Sequence, residues 1–180
     1  MTKKSLFVQP AARLALLFAV AGLVVVALLP TFAQSGNNSG ADRVGKPLSL
    51  KFTAVDGRPT DLEKLRGKVV LVDFWATWCV PCVRELPKVK AAHEKLHPKG
   101  FEIVGISFDQ SKAALQNFVA KNKMPWPQYF DGLGWKNKFG KQFEIHSIPT
   151  MWLVDKKGNL RELNARQDLE GKIQKLLEEK

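Results

Sequence analysis

Two cysteines, Cys79 and Cys82, are separated by only two residues in this 180-residue chain. Thiols at this spacing can close a disulfide or contribute to a metal site. A disulfide that closes so short a loop constrains the unfolded chain little and stabilises a fold by about 2 kcal/mol at most. The spacing therefore favours a pair that is oxidised and reduced in function over a purely structural bridge.

The predicted elements on either side of the pair distinguish the two thiols. An apolar run over residues 69–75 predicts a strand, and a helical pattern begins at Val80, directly after Cys79. The unpaired N–H groups and partial positive charge of a helix N-terminus stabilise a thiolate. Cys79 is therefore predicted to be the nucleophile, and Cys82, one turn into the helix with a more buried sulfur, the resolving cysteine. Pro81 fits the first helical turn and stiffens it.

Metal and haem chemistry are alternatives for the same segment. His93 and His97 follow Cys82 at spacings that superficially resemble those of a zinc finger. On one helix, however, the cysteines and histidines lie more than two turns apart, so they cannot share an ion, and both histidines are predicted at the surface. Val83 follows Cys82 where covalent haem attachment requires histidine. We expect no metal and no organic cofactor, because the sulfur pair holds both electrons.

The elements that must position the pair alternate between strand and helix. Predicted strands, with a turn between the first two, lie at residues 48–54, 59–60, 69–75, 101–107, 150–154 and 160–163. Predicted helical segments lie at residues 61–65, 80–97 with a kink or restart at Pro87, 111–122, around 139–143 and 168–177, with a loop over 124–135. This order predicts an α/β domain in which crossover helices join parallel strands and the 150–163 hairpin is antiparallel.

The first 33 residues are predicted to direct export. Lys3, Lys4 and Arg13 precede an uncharged apolar run over residues 14–29, which is the layout of a signal peptide. The run reaches roughly 24 Å as a helix, short of the ~30 Å hydrocarbon core. Small residues up to Ala33 suit a signal peptidase. Cleavage is therefore favoured over a membrane anchor, although basic side chains that snorkel could rescue a short span.

The composition of the remaining residues separates a linker from a folded domain, and their charge indicates which partners they suit. Residues 34–46 are polar and small and predict a flexible linker, which leaves 47–180 as the folded domain. The net charge is +11, and +8 remains without the three basic residues of the first 33. These charges are scattered over predicted helices and turns, so they predict a solvated basic surface rather than a nucleic-acid site.

Residues 72–82, Val-Asp-Phe-Trp-Ala-Thr-Trp-Cys-Val-Pro-Cys, resemble the active-site segment of thioredoxin-like proteins. Residues 84–87 and 100–109 extend the resemblance, over roughly residues 45–178, to exported thiol-disulfide oxidoreductases of the TlpA/ResA type in the AhpC/TSA-redoxin superfamily. The resemblance implies a thioredoxin-like three-layer sandwich with a mixed central sheet, preceded by a hairpin extension and a signal or anchor helix.

The same resemblance implies roles for further residues. Ile148 and Pro149 match the family's cis-proline segment, which lies beside the cysteines and meets partner peptides together with Trp78 and Pro81. Asp73 matches an acid that assists proton transfer from the second cysteine, and within an apolar strand its pKa should be raised by desolvation. Glu85 matches an acid that tunes the site, although a solvated helix residue is an equal alternative.

The implied activity is disulfide exchange with partner proteins outside the cytoplasm. The resemblance favours a monomeric reductase recharged by a membrane electron donor, for example in cytochrome c maturation or envelope redox homeostasis, whereas the residues themselves suit either direction. One alternative is a thiol peroxidase, but Ala76 occupies the position at which peroxiredoxins carry threonine. Another is a binding module whose cysteines stay oxidised and take no part in disulfide exchange.

Overall fold

The computed structural model describes residues 40–179. The predicted signal or anchor and the first part of the predicted linker lie outside these residues. Within the part described, no helix is long and apolar enough to span a membrane.

Strands from the whole described region build a small hairpin and a mixed sheet. They are β1 (Lys51–Thr53), β2 (Pro59–Asp61), β3 (Val69–Trp75), β4 (Phe101–Ser107), β5 (Gln128–Tyr129), β6 (Thr150–Val154) and β7 (Leu160–Glu162). β1 and β2 pair antiparallel, and the remaining strands form a sheet in the order β5-β4-β3-β6-β7. β3, β4 and β5 are parallel, whereas β6 and β7 run antiparallel to their neighbours. The mixed sheet and the 150–163 hairpin are confirmed.

Helices follow the predicted spans closely. They are α1 (Val80–Leu96), α2 (Lys112–Lys121), α3 (Lys138–Gln142) and α4 (Leu169–Glu178). α1 passes through Pro87 without a restart, because a single proline removes only the hydrogen bond to the carbonyl of Val83. The short strand β5 was not predicted, since it lies within the segment expected to be a loop.

The helices cover both faces of the sheet. Phe74 contacts Phe143, just beyond α3, with ring centroids 6.2 Å apart, and Trp75 contacts Phe118 of α2 at 5.4 Å. Successive strand residues point to opposite faces, so α2 and α3 lie on opposite sides of β3. Every residue of β3 is consequently buried, which explains its nearly continuous apolar sequence. The three-layer thioredoxin-like arrangement is confirmed.

Residues 40–46 differ from the predicted flexible linker, because they pack on the domain. The N–H of Gly45 donates to the carbonyl of Leu160 at 2.7 Å, and the N–H of Leu160 donates to the carbonyl of Lys46 at 2.9 Å. Arg43 lies over the ring of Phe143, 5.7 Å from its centroid. The prediction of flexibility is therefore wrong for this stretch, because its partners are distant in sequence and local composition does not reveal them.

The segment that follows reaches the opposite edge of the sheet. After the β1 strand, the N–H of Val55 donates to the carbonyl of Gln128 in β5 at 2.8 Å. Phe52 of β1 packs edge-on against Tyr129 and Phe139, with centroids 5.3 and 6.0 Å apart. The hairpin is therefore an integral part of the core on the α3 side.

Candidate active site

Cys79 stands where the central strand ends and helix α1 begins. The loop of residues 76–78 leaves β3, and Cys79 is the N-cap of α1, where its Sγ accepts the backbone N–H of Cys82 at 3.3 Å. The two cysteines form a disulfide. After reduction the same N–H and the positive end of the helix face the Cys79 sulfur, so they stabilise it as a thiolate. This geometry supports Cys79 as the nucleophile.

Burial does not separate the two cysteines in the oxidised protein. Cys79 is 5 % exposed and Cys82 is 6 % exposed. The expectation that Cys82 is the more buried member is therefore not met at the level of the residues. Their positions at the helix end distinguish them instead, because only Cys79 precedes the first turn.

Asp109 holds the loop that carries the cysteines. Its carboxylate accepts the backbone N–H of Thr77 at 3.1 Å, the Thr77 hydroxyl at 2.6 Å and the Ser107 hydroxyl at 2.8 Å. Asp109 is buried, two residues beyond the end of β4. The sequence predictions gave it no role, although an acid at the carboxyl end of a strand parallel to β3 must lie at the same edge of the sheet as Cys79.

Asp73 is a buried acid in the middle of β3. It is 7 % exposed, and its Oδ1 has no hydrogen-bond partner among the described residues. Burial raises the pKa of Asp73 from 3.8 to about 7, because the charged form loses its hydration. The predicted desolvation and raised pKa are confirmed. A carboxyl group with this pKa can hold or release a proton near neutral pH.

Glu85 is held by ion pairs and is not a solvated helix residue. Its side chain is 12 % exposed, and Oε1 lies 3.1 Å from Nε of Arg166. Oε2 lies 3.4 Å from Nζ of Lys88, three residues further along α1. Of the two alternatives left open by the sequence, the solvated one is wrong, because Arg166 approaches from a distant part of the chain.

The proline segment lies at the same edge of the sheet as the cysteines. The Ile148–Pro149 peptide bond is cis, as the resemblance implied. Thr150, which follows, opens β6 opposite Phe74 of β3, so Pro149 stands level with the end of β3 that leads to Cys79. Ile148 and Pro149 are both partly exposed.

The aromatic side chains near the cysteines differ in their exposure to solvent. Trp75 is core, and its indole N–H donates to Oε1 of Gln128 at 2.9 Å. Trp78, by contrast, is 52 % exposed and lies 6.3 Å from the ring of Trp135, which is 48 % exposed. Leu133 beside Trp135 is also exposed. Leu133 and Trp135 fall in the predicted loop, and composition alone gave no reason to place them near the pair.

Two clefts are lined by residues close in sequence to the cysteines or by the proline segment. A polar cleft of about 500 Å³ is lined by residues that include Glu85, Ser147, Pro149 and Arg166. An aromatic cleft, also of about 500 Å³, is lined by residues that include Trp78, Phe108, Leu133 and Trp135. Val80 and Pro81, at the start of α1, are exposed beside the cysteines. The site is therefore open to a large partner.

The two histidines of α1 lie apart from this site. His93 is eleven residues beyond Cys82 on the same helix, a rise of about 16 Å. This separation agrees with the prediction that cysteines and histidines do not share an ion. His97 is exposed as expected, whereas His93 is half-buried.

Comparison with known proteins gives a consistent result. The Redoxin family profile matches residues 29–178. A thiol-disulfide oxidoreductase ResA of Bacillus cereus is 31 % identical over 139 residues, which are 74 % of this chain and 79 % of that protein. ResA of Bacillus subtilis is 29 % identical over 105 residues, 58 % of this chain and 57 % of that protein.

Solved structures agree with these sequence relatives. The thioredoxin domain of a thiol-disulfide oxidoreductase from Bacteroides vulgatus superposes with a TM-score of 0.67 at 26 % identity, covering 74 % of this chain and 97 % of that one. A thiol:disulfide interchange protein from Chlorobium tepidum gives 0.62 at 26 % identity, covering 73 % and 95 %.

Proposed function

Because this chain belongs to the Redoxin family and is a thiol-disulfide oxidoreductase, we propose that it reduces disulfides in partner proteins outside the cytoplasm. The observation that carries the proposal is the Cys79–Cys82 disulfide at the start of α1, with the N–H of Cys82 directed at the Cys79 sulfur. The basic, apolar pattern of residues 1–33 supports export.

The reaction consists of two exchanges of sulfur–sulfur bonds. The Cys79 thiolate attacks one sulfur of a partner disulfide, forms a mixed disulfide and releases the other partner sulfur as a thiolate, which takes a proton from solvent. Asp73 then accepts the proton of the Cys82 thiol, and the Cys82 thiolate attacks the Cys79 sulfur. The partner leaves with both sulfurs reduced, and Cys79 and Cys82 are oxidised to a disulfide.

Each turnover leaves the enzyme oxidised, so a dithiol donor must reduce it again. We propose that this donor resides in the membrane and that the enzyme acts as a monomer, in pathways such as cytochrome c maturation or envelope redox homeostasis. Run in reverse, the same steps oxidise a dithiol. The direction is therefore set by the reduction potential of the pair against that of its partners.

Partner polypeptides are proposed to bind across Trp78, Pro81, Ile148 and Pro149. These side chains surround the disulfide and are at least partly exposed. The aromatic cleft extends this surface through Leu133 and Trp135, and exposed aromatic residues of this kind are frequent energetic centres of interfaces. We infer that clients with a bulky apolar residue near their cysteine bind best.

A peroxidase function is not favoured by the site. Ala76 occupies the position of the peroxiredoxin threonine and is fully buried. The hydroxyl of the neighbouring Thr77 is already donated to Asp109.

The decisive measurement is the reduction potential of the Cys79–Cys82 pair in the purified protein. It is obtained by equilibration in dithiol buffers, with the fluorescence of the five tryptophans as the readout. A value near thioredoxin's, about −270 mV, supports a reductase, whereas a value near about −120 mV reverses the direction. A pair that does not equilibrate reversibly contradicts the proposal and favours an idle disulfide.

Client binding is tested with Leu133→Ala and Trp135→Ala. We expect kcat/KM for a peptide disulfide with an aromatic residue beside its cysteine to fall about tenfold. The rate with a small-molecule disulfide should be unchanged, because the cysteines are untouched. Val44→Ala is the matched control, since Val44 is an exposed apolar residue of another surface. An equal loss with both substrates contradicts a docking role.

A further inference from the structure

The far end of α1 brings together three side chains that the oxidoreductase chemistry does not use. One ring nitrogen of His93, one of His97 and one carboxylate oxygen of Glu102 lie within 4.8 Å of one another. Residues 93–97 read His-Glu-Lys-Leu-His, and the His-Glu-x-x-His spacing places two imidazoles on one helix face. The two rings are stacked, with centroids 4.7 Å apart.

Glu102 is held in place beside the histidines by its neighbour on the sheet. Its Oε1 accepts from Nζ of Lys68 at 2.6 Å, while its Oε2 lies 3.5 Å from Nδ1 of His97. The side chain is only 18 % exposed. Because Lys68 bonds Oε1, Oε2 is available to a ligand. The ammonium group of Lys68 nevertheless repels a cation bound nearby.

His97 has the hydrogen bond that orients metal-binding histidines. Its Nδ1 lies 3.1 Å from the backbone carbonyl of Phe101. A carbonyl only accepts, so Nδ1 carries the proton and the lone pair is on Nε2. Nδ1 is also the nitrogen that lies 3.5 Å from Oε2 of Glu102, so a metal shared by Nε2 and Oε2 needs rotation of the His97 side chain. His93 is half-buried against the ring of Trp126, with centroids 5.2 Å apart, which limits its motion.

We propose that His93, His97 and Glu102 bind a zinc ion. Zinc prefers imidazole and carboxylate donors at about 2.0–2.2 Å in a tetrahedron, which sets its ligand atoms about 3.4 Å apart. The three ligand atoms lie within 4.8 Å of one another, so their separations need to shrink by at most about 1.4 Å to reach that spacing. Water completes the tetrahedron on the exposed side of His97. Two imidazoles disfavour magnesium and calcium, which take oxygen ligands.

The site is independent of the cysteine pair. The rise of about 16 Å along α1 between Cys82 and His93 prevents one ion from reaching both. Zinc at this site instead joins the C-terminal turn of α1 to β4 and raises the stability of the folded protein. The proposal differs from the sequence prediction of no metal, because Glu102 lies on a strand and the helical spacing of the histidines did not indicate it.

The test is zinc binding to the full-length, disulfide-bonded protein without a polyhistidine tag, so that neither thiols nor tag compete. Titration against a chromophoric chelator should give one equivalent. His93→Gln, His97→Gln and Glu102→Gln should each weaken binding by about tenfold or more. Lys68→Gln should strengthen it, because the opposing ammonium is removed. His146→Gln, in the loop before Pro149, is the matched control and should leave binding unchanged.

A second readout separates ligand loss from misfolding. The melting temperature of the wild-type protein should rise on addition of zinc, and that of each ligand variant should match the wild type without zinc but no longer rise. The absence of binding to the wild type, or undiminished binding to the His93→Gln and His97→Gln variants, overturns the proposal.

Discussion

The two ends of helix α1 carry opposite chemistry. At the N-terminal end, the backbone N–H of Cys82 faces the sulfur of Cys79, the proposed nucleophile, and favours its anionic form. At the C-terminal end, the carbonyl of Phe101 and the carboxylate of Glu102 lie beside His97, which we proposed to bind zinc together with His93. The N-terminus of α1 has a partial positive charge, which suits a thiolate. Its C-terminus has a partial negative charge, which suits a bound cation.

The largest effect should come from the cysteines themselves. Cys79→Ser should lower disulfide reduction by more than about a thousandfold, because the remaining thiol, Cys82, is buried within the first turn of α1 and is not at the helix N-terminus. Cys82→Ser should lower it similarly but accumulate a mixed disulfide with a peptide substrate, visible by mass spectrometry. His93→Gln combined with His97→Gln should change the rate by less than about twofold. A larger loss in this control would show that the two ends are coupled.

The next effect concerns Asp73, the buried acid behind the reactive end. Its folded-state pKa of about 7 exceeds its ordinary 3.8, so between these values the folded protein binds more protons than the unfolded chain. Stability should therefore fall as pH rises through this window and level off above pH 7, by about 4 kcal/mol in total. Asp73→Asn should remove this dependence.

The measurement is the free energy of unfolding in denaturant from pH 4 to pH 8, as the difference between wild type and Asp73→Asn. The variant should also slow release of the mixed disulfide, because the proposed proton acceptor for Cys82 is lost. A difference that does not vary with pH would contradict the raised pKa.

A smaller effect should follow from loosening the loop before the cysteines. Asp109→Asn exchanges a charged acceptor of three hydrogen bonds for a neutral one and should cost about 1–3 kcal/mol of stability. Denaturant unfolding measures the loss. Asp56→Asn is the control, because Asp56 also accepts hydrogen bonds, from Arg58, but at an exposed position in the hairpin turn. Equal losses in both would mean that the Asp109 contacts contribute nothing specific.

The smallest effect should appear at the histidine end. Burial, followed by repulsion from His97, lowers the pKa of His93. His97→Gln should raise the pKa of His93, but not to its ordinary 6.5, because burial persists. Titration of the imidazole resonances by nuclear magnetic resonance in a chelating buffer measures the shift. A pKa that stays constant or falls would show that the two rings do not interact.

Local patterns predicted much of the fold and the reactive pair. The apolar run of β3, the helix start at Val80 and the stripe of α4 are visible in short windows of sequence. The predicted alternative of a restart at Pro87 was wrong, because α1 continues through that residue as one helix. β5 was missed because its two residues pair with β4 but carry no strand pattern of their own.

The remaining site residues depend on contacts between distant parts of the chain. Glu85 meets Arg166 across 81 positions, and Thr77 meets Asp109 across 32. Trp135 reaches Trp78 only through the fold of the loop after β5. Helical or strand periodicity in the sequence does not reveal contacts between residues so far apart, so only the structure shows them.

The segment before the sheet also covers part of both sheet edges. Residues 45–48 bond to residues 158–160 at the start of β7, and the N–H of Val55 bonds to the carbonyl of Gln128 in β5, so part of each outer strand has a backbone partner. Open strand edges are where sheets join one another and aggregate. The start of β7 and the carbonyl of Gln128 in β5 are therefore already paired, which leaves less open edge for the addition of a strand from another chain.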